Sequence, residues 1–187
     1  MSMSTSTSQI HYCRQCGTKV QHRLPDDGDK RLRAICPACG TIHYENPLMV
    51  VGTVPYTADG RVLLCQRAIE PRKGYWTLPA GFMELGETAS AGALRETQEE
   101  AGASVHMGPL FSLLSVARVG QVHLFYLAPL QSENFAPDPV ETQAVRLLAE
   151  HEIDWDSIAF TTVRLSLQAF FADFKAGQFG VHTQDVA

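Results

Sequence analysis

The segment at residues 81–103, GFMELGETASAGALRETQEEAGA, constrains this chain more than any other. Glu96, Glu99 and Glu100 are spaced i, i+3 and i+4, so on a helix they share one face. Carboxylates at that spacing repel one another and contribute nothing as a core. The arrangement makes sense with a hard divalent cation among them. Magnesium prefers oxygen ligands, keeps several waters, and binds through a few carboxylates together with substrate phosphates. The segment predicts a helix from about Thr88 to Ala101, with Gly102 placed for a left-handed cap. An acidic helix face that is merely solvated leaves Gly81, Glu87, Arg95 and Gly102 at their spacing unexplained.

The same stretch reads G-x5-E-x7-R-E-U-x-E-E-x-G-U, where U is a bulky aliphatic residue, with seven fixed positions in register over 23 residues. It resembles the Nudix box, the signature of Nudix hydrolases. The aliphatic positions hold Thr97 and Ala103 instead, which predicts looser packing behind the helix. The resemblance implies an α/β fold: a Nudix α/β/α sandwich with a mixed sheet, the box forming a loop–helix–loop. It implies magnesium or manganese as catalytic cofactor, with Glu96, Glu99 and Glu100 as ligands and catalytic residues and the carbonyl of Ala80 as a further ligand. Gly81, Glu87, Arg95 and Gly102 are structural in this reading, with Glu87 and Arg95 pairing to hold the loop against the helix. Relatives recruit another acid from a later loop, for which Glu141 is the nearest candidate and Glu133 the next.

Cys13, Cys16, Cys36 and Cys39 form two C-x2-C pairs with nineteen residues between them. That spacing matches a structural zinc site. Gly17 and Gly40 follow the pairs, and a tight turn there aims two thiolates at one tetrahedral ion. About 35 residues cannot build a core alone, so zinc supplies the missing folding free energy. Disulfides are the alternative, disfavoured in a reducing compartment. Cys65, inside RVLLCQR, reads as a buried strand cysteine.

The 187 residues suit one ordinary domain and a small one. The expected organisation is a disordered polar leader at 1–10, a zinc ribbon at 11–45 and a Nudix domain at 46–187. No apolar run approaches the length of a membrane helix, and the leader lacks the features of a signal peptide. A cytoplasmic location is expected. Residues 1–45 carry six Lys/Arg against four Asp/Glu, and residues 46–187 nine against sixteen. An acidic main domain argues against broad nucleic-acid binding. The ribbon has basic residues but few aromatics to stack bases.

Strands are expected at Leu48–Tyr56 and Arg61–Arg67 around an Asp59-Gly60 turn, and at Leu110–Val116 and Val122–Ala128 around Gly120. A short extended piece is expected at Trp76–Ala80, a further strand at Thr142–Leu148, and a last helix at about Thr161–Lys175.

A zinc ribbon before a Nudix domain resembles the NADH pyrophosphatase group. That group's Ser-Gln-Pro-Trp-Pro-Phe-Pro motif is absent from LFSLLSVARVGQVHLFYLAPL. WTLPAGFMELGE, RETQEEAGA, VGQVHLFYLA, FAPDP and WDSIAFTTV are similar to the chloroplast FAD pyrophosphatase group of plants and its bacterial relatives, from about Cys13 to Val163. This resemblance implies cleavage of FAD to FMN and AMP, with NADH or ADP-ribose as alternative substrates, and a homodimer. A reading of another class is a non-catalytic module that binds nucleotide or RNA, against which the complete carboxylate set stands. Arg67, Trp76, Phe82, Arg118 and Tyr126 are the expected substrate contacts. Phe125 is also considered, on the opposite face of its strand from Tyr126.

Overall fold

Two equivalent knuckles open the chain. Gly17 N donates to Cys13 O at 2.9 Å and Gly40 N to Cys36 O at 3.0 Å. Both glycines have positive φ, 73° and 74°, which suits a residue without Cβ. The computed structural model describes residues 10–186. Residues 1–9 of the expected leader lie outside the described residues, while Ile10 is buried. The chain divides into two units, 1–47 and 48–187.

In the first unit, β1 (Gln21–Arg23), β2 (Arg33–Ile35) and β3 (Ile42–His43) form an antiparallel sheet. Its interior is small: Ile10, Cys13, Val20, Ala34 and Cys36. Two of those five are cysteines of the knuckles, so the core and the sulfur cluster are one object.

The second unit is an α/β/α sandwich on an eight-stranded mixed sheet. Its strands are β4 (Leu48–Tyr56), β5 (Val62–Arg67), β6 (Trp76–Thr77), β7 (Ala80–Phe82), β8 (Leu110–Val116), β9 (Gln121–Pro129), β10 (Thr142–Leu148) and β11 (His182–Asp185). The main path runs β10-β5-β4-β9-β8-β11. The β4–β9 and β8–β11 pairs are parallel and the rest antiparallel. The expected extended piece after Trp76 is two short strands, since β6 pairs with β5 and β7 with β4. The reason lies in β4 and β5, which pair only at Tyr56–Val62. Beyond that point each takes its own short partner, and the sheet opens between them.

The helices are α1 (Ala89–Ala101) and α2 (Thr161–Ala176). Thr88 caps α1 by accepting from Ala91 N at 3.1 Å. Gly102 ends it at φ 58°, where an added Cβ would lie 2.2 Å from Ala136 O. Both helices bury two adjacent residues per turn: Gly92, Ala93, Glu96, Thr97, Glu100 and Ala101 on α1, and Thr162, Val163, Ser166, Leu167, Phe170 and Phe171 on α2. On α2 that face packs with Val54, Leu64, Phe111, Phe125 and Leu127 in the main core. Leu63 and Cys65, on the other face of β5, meet Ala101 and Ala103 behind α1. No described helix is long and apolar enough to cross a membrane.

The two small residues at the aliphatic positions are buried behind α1. Thr97 and Ala103 are 0% and 1% exposed. The Thr97 hydroxyl donates to Ala93 O at 2.7 Å and accepts from the Thr53 hydroxyl at 2.6 Å. Thr97→Val removes the partner of the buried Thr53 hydroxyl and is expected to cost about 1–3 kcal/mol. Adding Thr53→Val is expected to recover most of the loss, as both urea midpoints would show.

Candidate active site and sulfur cluster

The opening between β4 and β5 lets the buried face of α1 reach the α2 side of the sheet. A cavity of about 470 Å³ lies there. Glu96, Glu100 and Glu141 line it, with Ala80, Gly81, Phe82, Arg67, Phe125 and Phe160. Gly81 lies directly under Glu96: an added Cβ would fall 2.4 Å from the carboxylate, which would have to move aside.

Arg95 organises the loop before α1 with all three guanidinium nitrogens. It donates to Glu87 at 3.0 and 3.2 Å, to the carbonyl of Phe82 at 3.2 Å, to Glu96 at 2.7 Å and to Glu99 at 3.0 Å. Glu87 also accepts from Glu84 N at 2.7 Å. Arg95 and that amide hold Glu87 below the usual carboxylate range. One guanidinium therefore ties the loop to the helix and fixes the rotamers of two acidic neighbours.

Glu96 and Glu100 are 8% and 7% exposed, whereas the Glu99 side chain is 56% exposed. Burial raises Glu96, and it pushes Glu100 up to about 8 against the opposing bond from Ala80 N, with nearby Glu96 adding to the rise. Burying a carboxylate is costly; Arg95 offsets part of that cost at Glu96, and a bound cation would favour the ionised form of both. Their oxygen donors, with the Ala80 carbonyl and Glu141, fit magnesium or manganese in chemistry. Ala80 N donates to Glu100 at 2.9 Å, so this backbone segment and the helix are already joined.

Among the expected substrate contacts, Arg67 and Phe82 line the cavity, while Trp76, Arg118 and Tyr126 do not. Trp76 packs on the main core with the Arg146 guanidinium 5.3 Å from its ring. Arg118 sits in a single 3-10 turn at Ala117–Val119. Tyr126 faces away from the cavity because Gln121, His123 and Phe125 occupy the other face of β9. Glu133 pairs with Arg61 at 2.7 Å and is not in the lining, whereas Glu141 is. The sequence reading also missed Gln121, His123, Phe160 and Thr162. Counting back by twos from Phe125 reaches the first two; nothing local marks the others. Cys65 is 1% exposed in β5, and burial with nearby Glu100 raises its thiol, which leaves it inert.

In the first unit, one sulfur from each of Cys13, Cys16, Cys36 and Cys39 lies within 4.8 Å of the others. Three of the separations are 3.5, 3.6 and 3.7 Å. A tetrahedron with zinc–sulfur bonds of about 2.3 Å has edges near ~3.8 Å, so the cluster fits zinc. All four cysteines are free of disulfides.

The NUDIX domain profile matches residues 47–169, and the Nudix N-terminal zinc-ribbon profile matches residues 11–45. A crystal structure of a NUDIX hydrolase from Nitrosomonas europaea is 43% identical, with a TM-score of 0.89, over 95% of this chain and 99% of that one. A NAD-capped RNA hydrolase NudC from Stutzerimonas stutzeri is 31% identical over 56% of this chain and 35% of that protein. An ADP-ribose pyrophosphatase from Methanocaldococcus jannaschii is 39% identical over 32% of this chain and 34% of that protein. The chain thus spans about a third of the length of these two curated relatives. With the fold, the box and both profiles in agreement, the chain belongs to the Nudix hydrolase family and carries that family's N-terminal zinc ribbon.

Proposed function

We propose that the chain is a magnesium- or manganese-dependent pyrophosphohydrolase of dinucleotide cofactors, with FAD, cleaved to FMN and AMP, as the preferred substrate. The carrying observation is one cavity that joins Glu96, Glu100, Glu141 and the Ala80 backbone to the aromatic walls Phe82, Phe125 and Phe160. A pyrophosphate bridge needs charge neutralisation and an aligned water, and a flat ring needs an apolar clamp. A bound divalent ion would supply Lewis acidity and an acidified water. Glu96, Glu99 and Glu100 would hold it, Arg95 orients Glu96 and Glu99, and Arg67 in the cavity wall would meet the phosphates. The same reading makes the four cysteines a structural zinc site.

FAD is favoured by the pieces of sequence shared with FAD pyrophosphatases and by the absence of the NADH-group motif. NADH is the second reading, supported by the NudC relatives. The test is kcat/KM for FAD, NADH and ADP-ribose with each metal. FAD is expected to lead; a tenfold preference for NADH would move the assignment.

A further inference from the structure

Three residues in the cavity wall are joined side chain to side chain, and none belongs to the box. Gln121 and His123 follow each other on one face of β9, and Thr162 comes from the first turn of α2. His123 Nε2 lies 2.9 Å from Gln121 Oε1, and His123 Nδ1 lies 3.0 Å from the Thr162 hydroxyl. Both ring nitrogens are therefore occupied, which removes His123 as a free base. Burial holds this imidazole below its usual range, so at neutral pH it carries a single proton.

A neutral imidazole between an amide and a hydroxyl has two hydrogen-bond directions. In the first, Nε2–H donates to the amide oxygen and Nδ1 accepts from the hydroxyl, leaving Thr162 with lone pairs for the cavity. In the second, the amide is turned so that its NH2 donates to Nε2, and Nδ1–H donates to the Thr162 oxygen. The Thr162 proton is then free to donate. The two states differ by an amide flip and a tautomer, without moving the backbone.

We propose that Gln121, His123 and Thr162 form a specificity relay that reads the edge of an uncharged heteroaromatic ring, accepting either a donor or an acceptor at one position. This deepens the dinucleotide reading of the same site and rests on it. Phe125 and Val163 beside the relay are apolar, which suits a ring and disfavours a further phosphate. The relay explains how one cavity takes rings with different edges, since Thr162 adapts to each of them. Its residues are positioning residues and have no part in bond cleavage.

Adenine and hypoxanthine separate the idea cleanly, because one presents an amine where the other presents a carbonyl. KM and kcat are measured for ADP-ribose, its hypoxanthine counterpart and FAD, in the intact protein and in Thr162→Val and Thr162→Ser. The intact protein is expected to bind the first two within about threefold of each other, and Thr162→Val to raise KM roughly tenfold for all three with kcat little changed. Thr162→Ser keeps the hydroxyl and is expected to behave like the intact protein. Calorimetric Kd values for AMP, inosine monophosphate and FMN give the same comparison without turnover, so they decide the relay even if hydrolysis fails. KM and Kd within twofold after Thr162→Val would overturn it. So would a loss in kcat alone, which places the hydroxyl at the reacting phosphates, or a tenfold preference of the intact protein for either purine.

Discussion

Glu100→Gln is expected to reduce metal-dependent turnover by about a thousandfold while making the metal-free protein more stable. Loss of a ligand forfeits several kcal/mol of charge stabilisation in the transition state, and about 4 kcal/mol corresponds to that factor. The amide retains an oxygen to accept from Ala80 N, the bond seen at 2.9 Å. What disappears is an ionisable group that is only 7% exposed and beside Glu96. The sign is fixed by linkage: burial raises Glu100 from 4.5 to about 8 in the folded state. A carboxyl raised on folding favours the native state most below its unfolded value, and that contribution is lost as pH rises toward the folded value. The advantage of Gln over Glu should therefore grow between pH 5 and 8, reaching on the order of a few kcal/mol, about 5 °C or more in Tm. Glu99→Gln is the control. It should lose turnover by a similar factor with no gain in Tm, because its side chain is already 56% exposed. Melting curves of chelator-treated protein and rates on FAD separate the cases. A Glu100→Gln enzyme within tenfold of the parent would remove this carboxylate from the proposed metal site.

The box helix was legible because each local signal agreed with the others: Thr88 before the first turn, Gly102 after the last, carboxylates at i, i+3 and i+4. The central strands were legible for the same reason, with apolar runs between turn glycines. What escaped the sequence was set by pairing at a distance. β11 reads HTQD, with no apolar alternation, and is a strand because its backbone joins β8 in parallel. β7 contains a glycine and is extended because β5 leaves β4 free at Val50–Gly52. Tyr126 was a reasonable aromatic candidate, yet the register of β9 gives that cavity to Phe125, and only the sheet decides which face is which. Thr97 at an aliphatic position predicts looser packing, yet Thr53, far away in sequence, makes it a hydrogen-bonded core residue. Polar residues that belong to a site, such as His123 and Thr162, look like ordinary strand and helix residues until the sheet and α2 bring them together.

Cys36→Ser is expected to unfold the first unit and leave the second intact. Cys36 is 1% exposed and is both a sulfur of the cluster and a member of the five-residue interior with Ile10, Cys13, Val20 and Ala34. That interior is too small to offset the conformational entropy of the chain around it, on the order of 1–2 kcal/mol per residue for the backbone alone. Structural zinc contributes roughly 10–16 kcal/mol of apparent binding free energy in comparable small modules. A hydroxyl in place of a thiolate forfeits most of it. The second unit has its own core around Phe111, Phe125, Leu167 and Phe170, so its melting transition should persist. Metal analysis should fall from about one zinc per chain, expected for a single tetrahedral site, to near none. Limited trypsin digestion should then cut at Arg14, Lys19, Arg23, Lys30, Arg31 and Arg33 well before it reaches the second unit. Unchanged zinc content and protection of those bonds would show that three sulfurs and the small interior suffice. Loss of both melting transitions would show instead that the Nudix domain depends on the ribbon for its own stability.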